Sequence, residues 1–265
     1  MKRPFDWRYT PGFGPLTVAI LVFLYAPLTI LVIYAFNASR MVTVWQGFST
    51  QWFVAIAQNA DIRGAAENSL IIAVAATISS TLIALAGALA LERGILNFGR
   101  GIVMGMVAMP LVVPEIVVAI TTLVFFSALG MHHGLLNLII AHTVFCIPFA
   151  LLPIQARLKN MGGTLEEAGR DLYASEWNLF RRITLPLLAP AIGAGAIMAF
   201  VISLDDFLIS VMVSSAGSTT LPVYVYGMMR LGVTPEVNAI STVLLAISLV
   251  FVASALLLGR RRPAN

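Results

Sequence analysis

Charged residues are scarce in this chain of 265 residues. Asp, Glu, Lys and Arg together make up 11% of it, whereas 59% of the residues are hydrophobic and the mean hydropathy is +0.93. Because soluble globular domains carry about 25% charged residues, this composition excludes that class. We therefore expect an all-α membrane protein, since a helix satisfies its own backbone hydrogen bonds in lipid.

Lysine, cysteine and histidine are also rare, and each scarcity excludes a kind of chemistry. Lys2 and Lys159 are the only lysines, and neither stands in the G-x-x-x-x-G-K-[ST] loop that binds ATP phosphates. A single cysteine, Cys146, cannot form an internal disulfide, and we expect it to pack in the core. His132 and His133 are adjacent, but no Asp, Glu or Cys accompanies them, so we predict no metal site and no cofactor.

Six apolar runs are long enough to cross a bilayer, which takes about 20 helical residues. The second run is rich in Ala, Gly and Ser, which let helices approach closely, so we expect it to be buried among other spans. We predict one transmembrane domain, residues 1–265, with its core at 64–258. The six runs are Leu16–Ala35, Ser69–Leu91, Ile102–Leu129, Leu135–Leu158, Leu187–Val213 and Val237–Leu258.

The basic residues are unevenly distributed between the ends of these runs. With the N-terminus in the cytoplasm, thirteen of the sixteen Lys and Arg residues are cytoplasmic, and only Arg40, Arg63 and Arg230 are outside. This asymmetry agrees with the positive-inside rule and predicts that both termini are cytoplasmic. Because the basic residues are dispersed at membrane edges and form no groove, we expect no nucleic-acid partner.

A polar island at residues 157–186 separates the fourth run from the fifth, and the charge asymmetry places it in the cytoplasm. Thr164 and Glu167 have the spacing of a capping box, which predicts a helix that begins at Leu165. Ser175 predicts a second helix start. We therefore expect two short helices with a bend between them.

The first of these helices is predicted to have two different edges. Leu165, Ala168 and Leu172 recur at helical spacing and form an apolar edge, while Glu166 and Arg170 form an i, i+4 ion pair on the solvent side. One apolar and one charged edge are typical of a helix that docks into another protein. The alternative interpretation is an ordinary amphipathic loop between two spans.

This island resembles the cytoplasmic loop of permease subunits of bacterial ABC importers. The pattern in that family is Glu-Ala-Ala, three residues, Gly, nine residues and Ile-x-Leu-Pro. The residues that match it at the same spacing are Glu167, Ala168, Ile183, Leu185 and Pro186.

Two positions depart from the family pattern. Gly169 replaces the second Ala, and Tyr173 replaces the Gly. The family Gly would permit a left-handed residue at the end of the first helix, so we expect Tyr173 to carry a steric penalty there.

The resemblance implies a type I ABC importer permease fold with six transmembrane helices in the bacterial inner membrane. It also implies a coupling loop at 159–186 that contacts a separate ATP-binding subunit, so the chain itself would be no enzyme. The implied partners are a second permease, two ATP-binding subunits, a periplasmic solute-binding protein and the lipid bilayer. The residues assigned to ATPase coupling are Thr164, Glu166, Glu167, Ala168, Gly169, Asp171, Leu172 and Ala174.

Shorter motifs narrow the resemblance. Tyr25-Ala-Pro, the segment 203–206, Thr219-Thr-Leu-Pro and the segment 232–239 resemble the second permease of putrescine/spermidine importers. This implies import of polyamines by alternating access. An ABC permease for another small solute is the alternative.

Three acids occur within the apolar runs, where each needs a protein or water environment because an acid at the bilayer centre costs about 2.5–3.5 kcal/mol. Glu115 is predicted near the middle of the membrane, and Asp205 and Asp206 toward its outer end, as two successive waypoints for a cation. Of the two neighbouring carboxylates, one is expected to hold a neighbouring helix. Ser203 and Tyr226 complete the predicted substrate path, and purely structural pairing of the acids is the alternative.

Two other functional classes stay open from the residues alone. An ion-coupled secondary carrier would also use acids within the membrane, but it needs no cytoplasmic docking helix. An intramembrane hydrolase would need a nucleophile and a base, for which His142 and Ser203 are the candidates.

Overall fold

The structure is a computed structural model that describes residues 13–41, 44–94, 99–131, 134–232 and 234–260. His132, His133 and both chain termini, for which the sequence made predictions, lie outside the described residues. Within the described ranges the secondary structure is helical, with no β-strand, and a π-helical turn occupies Phe180–Thr184. The α-helices are α1 (Phe13–Ala35), α2 (Gln51–Gln58), α3 (Ala60–Glu92), α4 (Arg100–Val112), α5 (Glu115–Ala128), α6 (Leu135–Met161), α7 (Thr164–Asp171), α8 (Glu176–Leu179), α9 (Leu185–Asp205), α10 (Leu208–Val213), α11 (Leu221–Leu231) and α12 (Pro235–Arg260).

Five helical segments of the described chain are long and apolar enough to cross a membrane, and α4 with α5 makes a sixth if that pair counts as one span. The pair is bent by 110°, so the apolar run at Ile102–Leu129 consists of two helices and counts as one span only as a broken pair. Val113 and Pro114 have extended backbones at the break. Proline disfavours a helical residue before it, which explains why the helix stops here.

The fifth run is also interrupted. Its long helix ends at Asp205, Asp206 is extended with ψ 124°, and α10 then begins separately at Leu208. The prediction of one helix through Leu187–Val213 is therefore wrong at its outer end.

The chain divides into two compact units, one of which contains residues up to Asn59 together with Gly227–Ala246. In this unit the Asn37 side chain organises the segment after α1. Its Nδ2 donates to the Val44 carbonyl at 2.8 Å, and its Oδ1 accepts from the Gln46 amide at 3.0 Å. The indole of Trp52 in α2 donates to the Asn37 carbonyl at 2.7 Å, which fixes α2 against this segment.

The other unit, Ala60–Tyr226 with the residues from Ile247 onward, has α3, α6 and α9 packed together. Small side chains make this packing close. On α9, a Cβ added at Gly195 would lie 2.7 Å from the Ala150 carbonyl oxygen of α6. The prediction that the second run is buried among other spans is confirmed for one face of α3, which is fully buried at Ala76, Ser80, Ala84 and Ala88, whereas Leu82 on another face is exposed.

A second group of buried apolar residues joins α5, α6 and α10 to α3 in the same unit. Phe126 of α5, Phe145 of α6 and Ile209 of α10 belong to it. The helix α5 begins directly after the break between α4 and α5, and α10 begins directly after the break that ends α9. Because α5 and α10 pack together, the two helix breaks lie close to each other.

Candidate functional site

The three predicted acids meet at the two helix breaks. Glu115 is the first residue of α5, Asp205 is the last residue of α9, and Asp206 lies between α9 and α10. Whereas the sequence predicted two successive waypoints, the structure has all three acids lining one cavity of about 310 Å³, which we call the acidic pocket. Its other lining residues are Phe145, Phe149, Val201 and Ile202.

Asp205 and Asp206 differ in exposure and in their contacts. The Asp205 side chain is exposed, whereas Asp206 is buried. Asp206 Oδ1 accepts a hydrogen bond from the Ser210 amide of α10 at 2.9 Å, so this carboxylate contacts the helix that follows it in the chain. That one of the two carboxylates holds a neighbouring span stays a prediction. The other oxygen of Asp206, Oδ2, is buried without a hydrogen-bond partner among the described residues, and the Glu115 carboxyl group interacts with Asp206.

The other two residues of the predicted substrate path do not line this pocket. Ser203 is buried, and its Oγ lies 2.8 Å from His142 Nδ1 of α6. The ring of Tyr226 packs against Phe207, with ring centroids 4.7 Å apart.

The structure brings the hydrolase candidates His142 and Ser203 into contact, and Asp206 Oδ1 lies 3.5 Å from His142 Nε2. A nucleophile must reach a substrate, yet His142 is 1% and Ser203 4% exposed. The geometry therefore favours a packing role between α6 and α9 over catalysis.

The Thr219-Thr-Leu-Pro motif, which carried part of the resemblance, is bonded to α3 near the start of the second predicted run. Asn68 Nδ2 donates to the Gly217 and Thr219 carbonyls at 3.0 and 3.1 Å. Ser69 Oγ accepts from the Leu221 amide at 2.8 Å. The start of the second predicted span thus holds the segment that ends in Thr-Thr-Leu-Pro.

In the polar island, the first short helix begins one residue earlier than predicted. Gly163 is the N-cap of α7, Thr164 is its first residue, and no side chain forms a capping hydrogen bond. The capping-box prediction for Thr164 and Glu167 is therefore wrong. The second predicted start is confirmed, because Ser175 Oγ accepts from the Asn178 amide at the start of α8.

Glu166 is buried, and the predicted solvent-side pair with Arg170 is wrong. Its Oε1 accepts from Thr184 Oγ1 of the π-helical turn at 2.6 Å and also pairs with the Arg93 guanidinium at the end of α3. Arg170 instead pairs with Glu176 of α8, with Nε and Oε1 at 2.8 Å. This hydrogen bond raises the pKa of the exposed Arg170 side chain.

The two departures from the family pattern differ in their effect on the structure. A Cβ at residue 169 would lie 2.4 Å from Leu179 Cδ2, so Gly169 lets Leu179 pack on the bare backbone of α7. Tyr173 has a φ of 59°, which confirms the predicted left-handed residue. The amides of Tyr173 and Ala174 donate to the Arg170 and Gly169 carbonyls at 2.8 and 3.1 Å, the two hydrogen bonds of a Schellman motif.

The outer side of α7 is an exposed, mostly apolar surface. Leu165 is 56% exposed, Leu172 82% and Tyr173 98%. The residues predicted to couple to the ATPase differ in exposure. Glu166 and Gly169 are buried, Ala174 is half-buried and the others are exposed. We define the docking surface as the exposed residues Thr164, Leu165, Glu167, Ala168, Asp171, Leu172 and Tyr173.

Sequence reasoning missed several residues of both sites. Phe145 and Phe149 are four residues apart on α6, so their shared face could have been found, and His142 was named only as a hydrolase candidate. Arg93 and Thr184 gave no comparable signal as partners of Glu166, because they come from distant parts of the chain.

Comparisons with known proteins place these features in a family. A model of the family "Binding-protein-dependent transport system inner membrane component" matches residues 80–262. The chain is 40% identical to the spermidine/putrescine transport system permease protein PotC of Escherichia coli K12 over 93% of each chain. It is 37% identical to the putrescine transport system permease protein PotI of the same strain, over 88% of this chain and 86% of PotI.

The fold is similar to that of a solved structure of a bacterial alginate ABC transporter in complex with a pentasaccharide-bound periplasmic protein. The TM-score is 0.69, with 20% identity over 97% of this chain and 95% of that chain. The all-α class and type I permease fold expected from the sequence are thereby confirmed. The chain belongs to the family of binding-protein-dependent transport system inner membrane components, the permease subunits of ABC importers.

Proposed function

We propose that this chain imports polyamines as one permease subunit of an ATP-driven transporter of the bacterial inner membrane. The observation that carries the choice of substrate is the acidic pocket, which is lined by Glu115, Asp205 and Asp206 and, among the described residues, by no basic side chain. The names of the relatives PotC and PotI, which refer to spermidine and putrescine, support the same choice.

The chemistry of the pocket suits a primary ammonium group. Such a group carries a positive charge and three N–H donors, and among the described residues Asp206 Oδ2 has no hydrogen-bond donor. The Glu115 carboxyl group, which interacts with Asp206, is a second acceptor in the same pocket. Clustered carboxylates repel one another in apolar surroundings, and a bound cation relieves that repulsion. Phe145 and Phe149 line the same pocket, and each ring could add about 0.5–2 kcal/mol through a cation–π contact.

The docking surface supports a coupling role. It is exposed on the polar island and mostly apolar, and neither lysine of the chain stands in an ATP-binding loop. We infer that its residues, with Glu167 foremost, contact a separate ATP-binding subunit. The buried Glu166 and Gly169 position α7 and do not make that contact themselves.

The remaining elements of the proposal follow the family. Residues 1–265 form one transmembrane domain with both termini in the cytoplasm, which is supported by the distribution of basic residues. The complete transporter contains a second permease, two ATP-binding subunits and a periplasmic binding protein. Substrate moves by alternating access as ATP closes the ATP-binding subunits.

The substrate is tested in proteoliposomes that contain the complete transporter and its binding protein. Uptake of labelled putrescine and spermidine is measured for Glu115→Gln, Asp205→Asn and Asp206→Asn. Each variant removes a carboxylate charge that compensates the cation for its lost hydration. Each is expected to slow uptake at least about tenfold, because a charged hydrogen bond contributes about 1.5–3 kcal/mol. Glu67→Gln, which neutralises an exposed acid of α3 away from the pocket, is the matched control.

Three results would overturn the proposal. Wild-type uptake in all three acid variants would make the acids structural. Uptake of another solute, with no polyamine uptake, would favour an ABC permease of different specificity. Uptake that requires a proton gradient and does not require ATP would favour an ion-coupled carrier.

A further inference from the structure

The carboxylate of Asp206 lies where regular helical structure is lost. The helix α9 ends at Asp205, the backbone of Asp206 is extended, and α10 begins two residues later. No continuous helix therefore fixes the direction of this side chain. Its orientation depends on contacts from other elements.

One ring from α6 spans this break. His142 Nδ1 lies 2.8 Å from Ser203 Oγ near the end of α9, and His142 Nε2 lies 3.2 Å from Ser210 Oγ in α10. A serine hydroxyl both donates and accepts, so a neutral histidine satisfies both contacts in either tautomer. The imidazole thus joins the helix before the break to the helix after it.

Ser210 also connects this ring to the carboxylate. Its amide donates to Asp206 Oδ1 at 2.9 Å, and Oδ1 lies 3.5 Å from His142 Nε2. His142, Ser203, Ser210 and Asp206 are each at most 6% exposed. In such surroundings each hydrogen bond is strong, and an unpaired group is costly.

We propose that His142 is a positioning residue for cation recognition. It holds Ser210 and Asp206 across the α9–α10 break, so that Oδ1 is occupied and Oδ2 is left for an ammonium group. His142 does not line the acidic pocket itself, so it acts through Asp206. This inference rests on the proposed function.

The test uses the complete transporter in proteoliposomes, with putrescine-loaded binding protein at saturation. The measured quantity is putrescine uptake per ATP hydrolysed. His142→Leu, which removes both ring contacts, is expected to lower this ratio about tenfold, the size expected for a lost buried hydrogen bond. His142→Gln, whose amide both donates and accepts, is expected to restore it to within about threefold.

The matched control is Cys146→Ala. Cys146 lies one turn along α6 and also contacts α9, with Sγ 3.5 Å from the Ala199 carbonyl oxygen. This contact lies at Ala199, six residues before α9 ends, and substitution of Cys146 is expected to leave the ratio unchanged. An equal loss in Cys146→Ala would show that any change between α6 and α9 disturbs transport, and it would overturn the inference.

A double-mutant cycle separates positioning from simple structural support. If His142 acts through Asp206, His142→Leu should change the ratio less than about twofold in an Asp206→Asn background. A full tenfold loss in that background would overturn the inference. If His142→Leu does not assemble, Ser210→Ala removes the far end of the bridge, and a normal ratio in that variant would contradict the inference equally.

The same cycle distinguishes the two proposals. Wild-type uptake in Asp206→Asn would refute the acidic pocket as the substrate site. Impaired uptake in Asp206→Asn together with a normal ratio in His142→Leu would refute only the positioning role.

Discussion

Two buried carboxylates in this protein have opposite surroundings. Glu166 is paired, since its Oε1 meets both Arg93 and Thr184. Asp206 is buried to the same degree, yet one of its oxygens has no hydrogen-bond partner among the described residues. Burial alone therefore does not reveal a binding group. The inventory of partners separates an acid that holds the fold together from an acid with capacity left for a ligand.

The largest expected effect concerns the exposed neighbour of Glu166. Glu167→Lys reverses a charge on the docking surface. Because Glu167 is exposed, the substitution does not disturb the buried core. We expect uptake to be abolished while the protein still reaches the membrane. Uptake and copurification of the ATP-binding subunits are measured together, and normal values for both would show that α7 does not dock there.

The next effect breaks the paired acid. Arg93→Met leaves the Glu166 carboxylate buried without its cation, which costs about 2–3 kcal/mol after allowance for the partial exposure of Arg93. Protease sensitivity of residues 159–186 should rise and uptake should fall. The double variant Arg93→Met with Glu166→Met should recover most of the protection, because apolar replacement of a buried pair is often neutral. Absence of recovery would mean that the pair does more than hold α7.

The smallest effect is a gain in stability. Tyr173→Gly removes a side chain from a residue with φ 59°, which relieves roughly 1 kcal/mol of backbone strain. Because Tyr173 is almost fully exposed, little packing is lost. Amide hydrogen exchange across 170–176 should slow in the variant. Faster exchange would indicate that the tyrosine stabilises the bend in spite of its backbone.

The variants at Glu167, Arg93 and Asp206 together sharpen the comparison between the two buried carboxylates. A docking acid is indicated if the Glu167 variant loses uptake but keeps its resistance to protease. An acid that holds the fold is indicated if the Arg93 variant loses that resistance. A binding acid is indicated if the Asp206 variant loses uptake with normal resistance. A uniform loss of protection would mean that all these acids serve the fold.

The features that the sequence predicted correctly depend on neighbours along the chain or on composition. The membrane class follows from 59% hydrophobic residues, the cap of Ser175 reaches three residues ahead, and the left-handed Tyr173 ends a local helix. Small residues every four positions on α3 marked a buried face before any partner was known. The loop pattern that contains Glu167 gave the family.

Two predictions for the polar island were wrong because other residues took the place of the predicted partners. The local pattern paired Glu166 with Arg170, four residues away, but the structure pairs it with Arg93, 73 residues away. The capping box at Thr164 failed by a single residue, because the amides of Glu166 and Glu167 bond to the Gly163 carbonyl.

The sequence by itself determined that this protein is helical, lies in the membrane and carries a polar loop between two spans, because hydropathy and helix signals act within a few residues. Pro114 accounts for one helix break locally, but only the tertiary structure decided which residues meet at the breaks. Glu115 and Asp206 are 91 positions apart in the sequence, and His142 bonds to a serine 61 positions away. The acidic pocket forms because the packing of α5, α6 and α10 brings two helix breaks together. No local sequence pattern predicts a contact between residues so far apart in the chain.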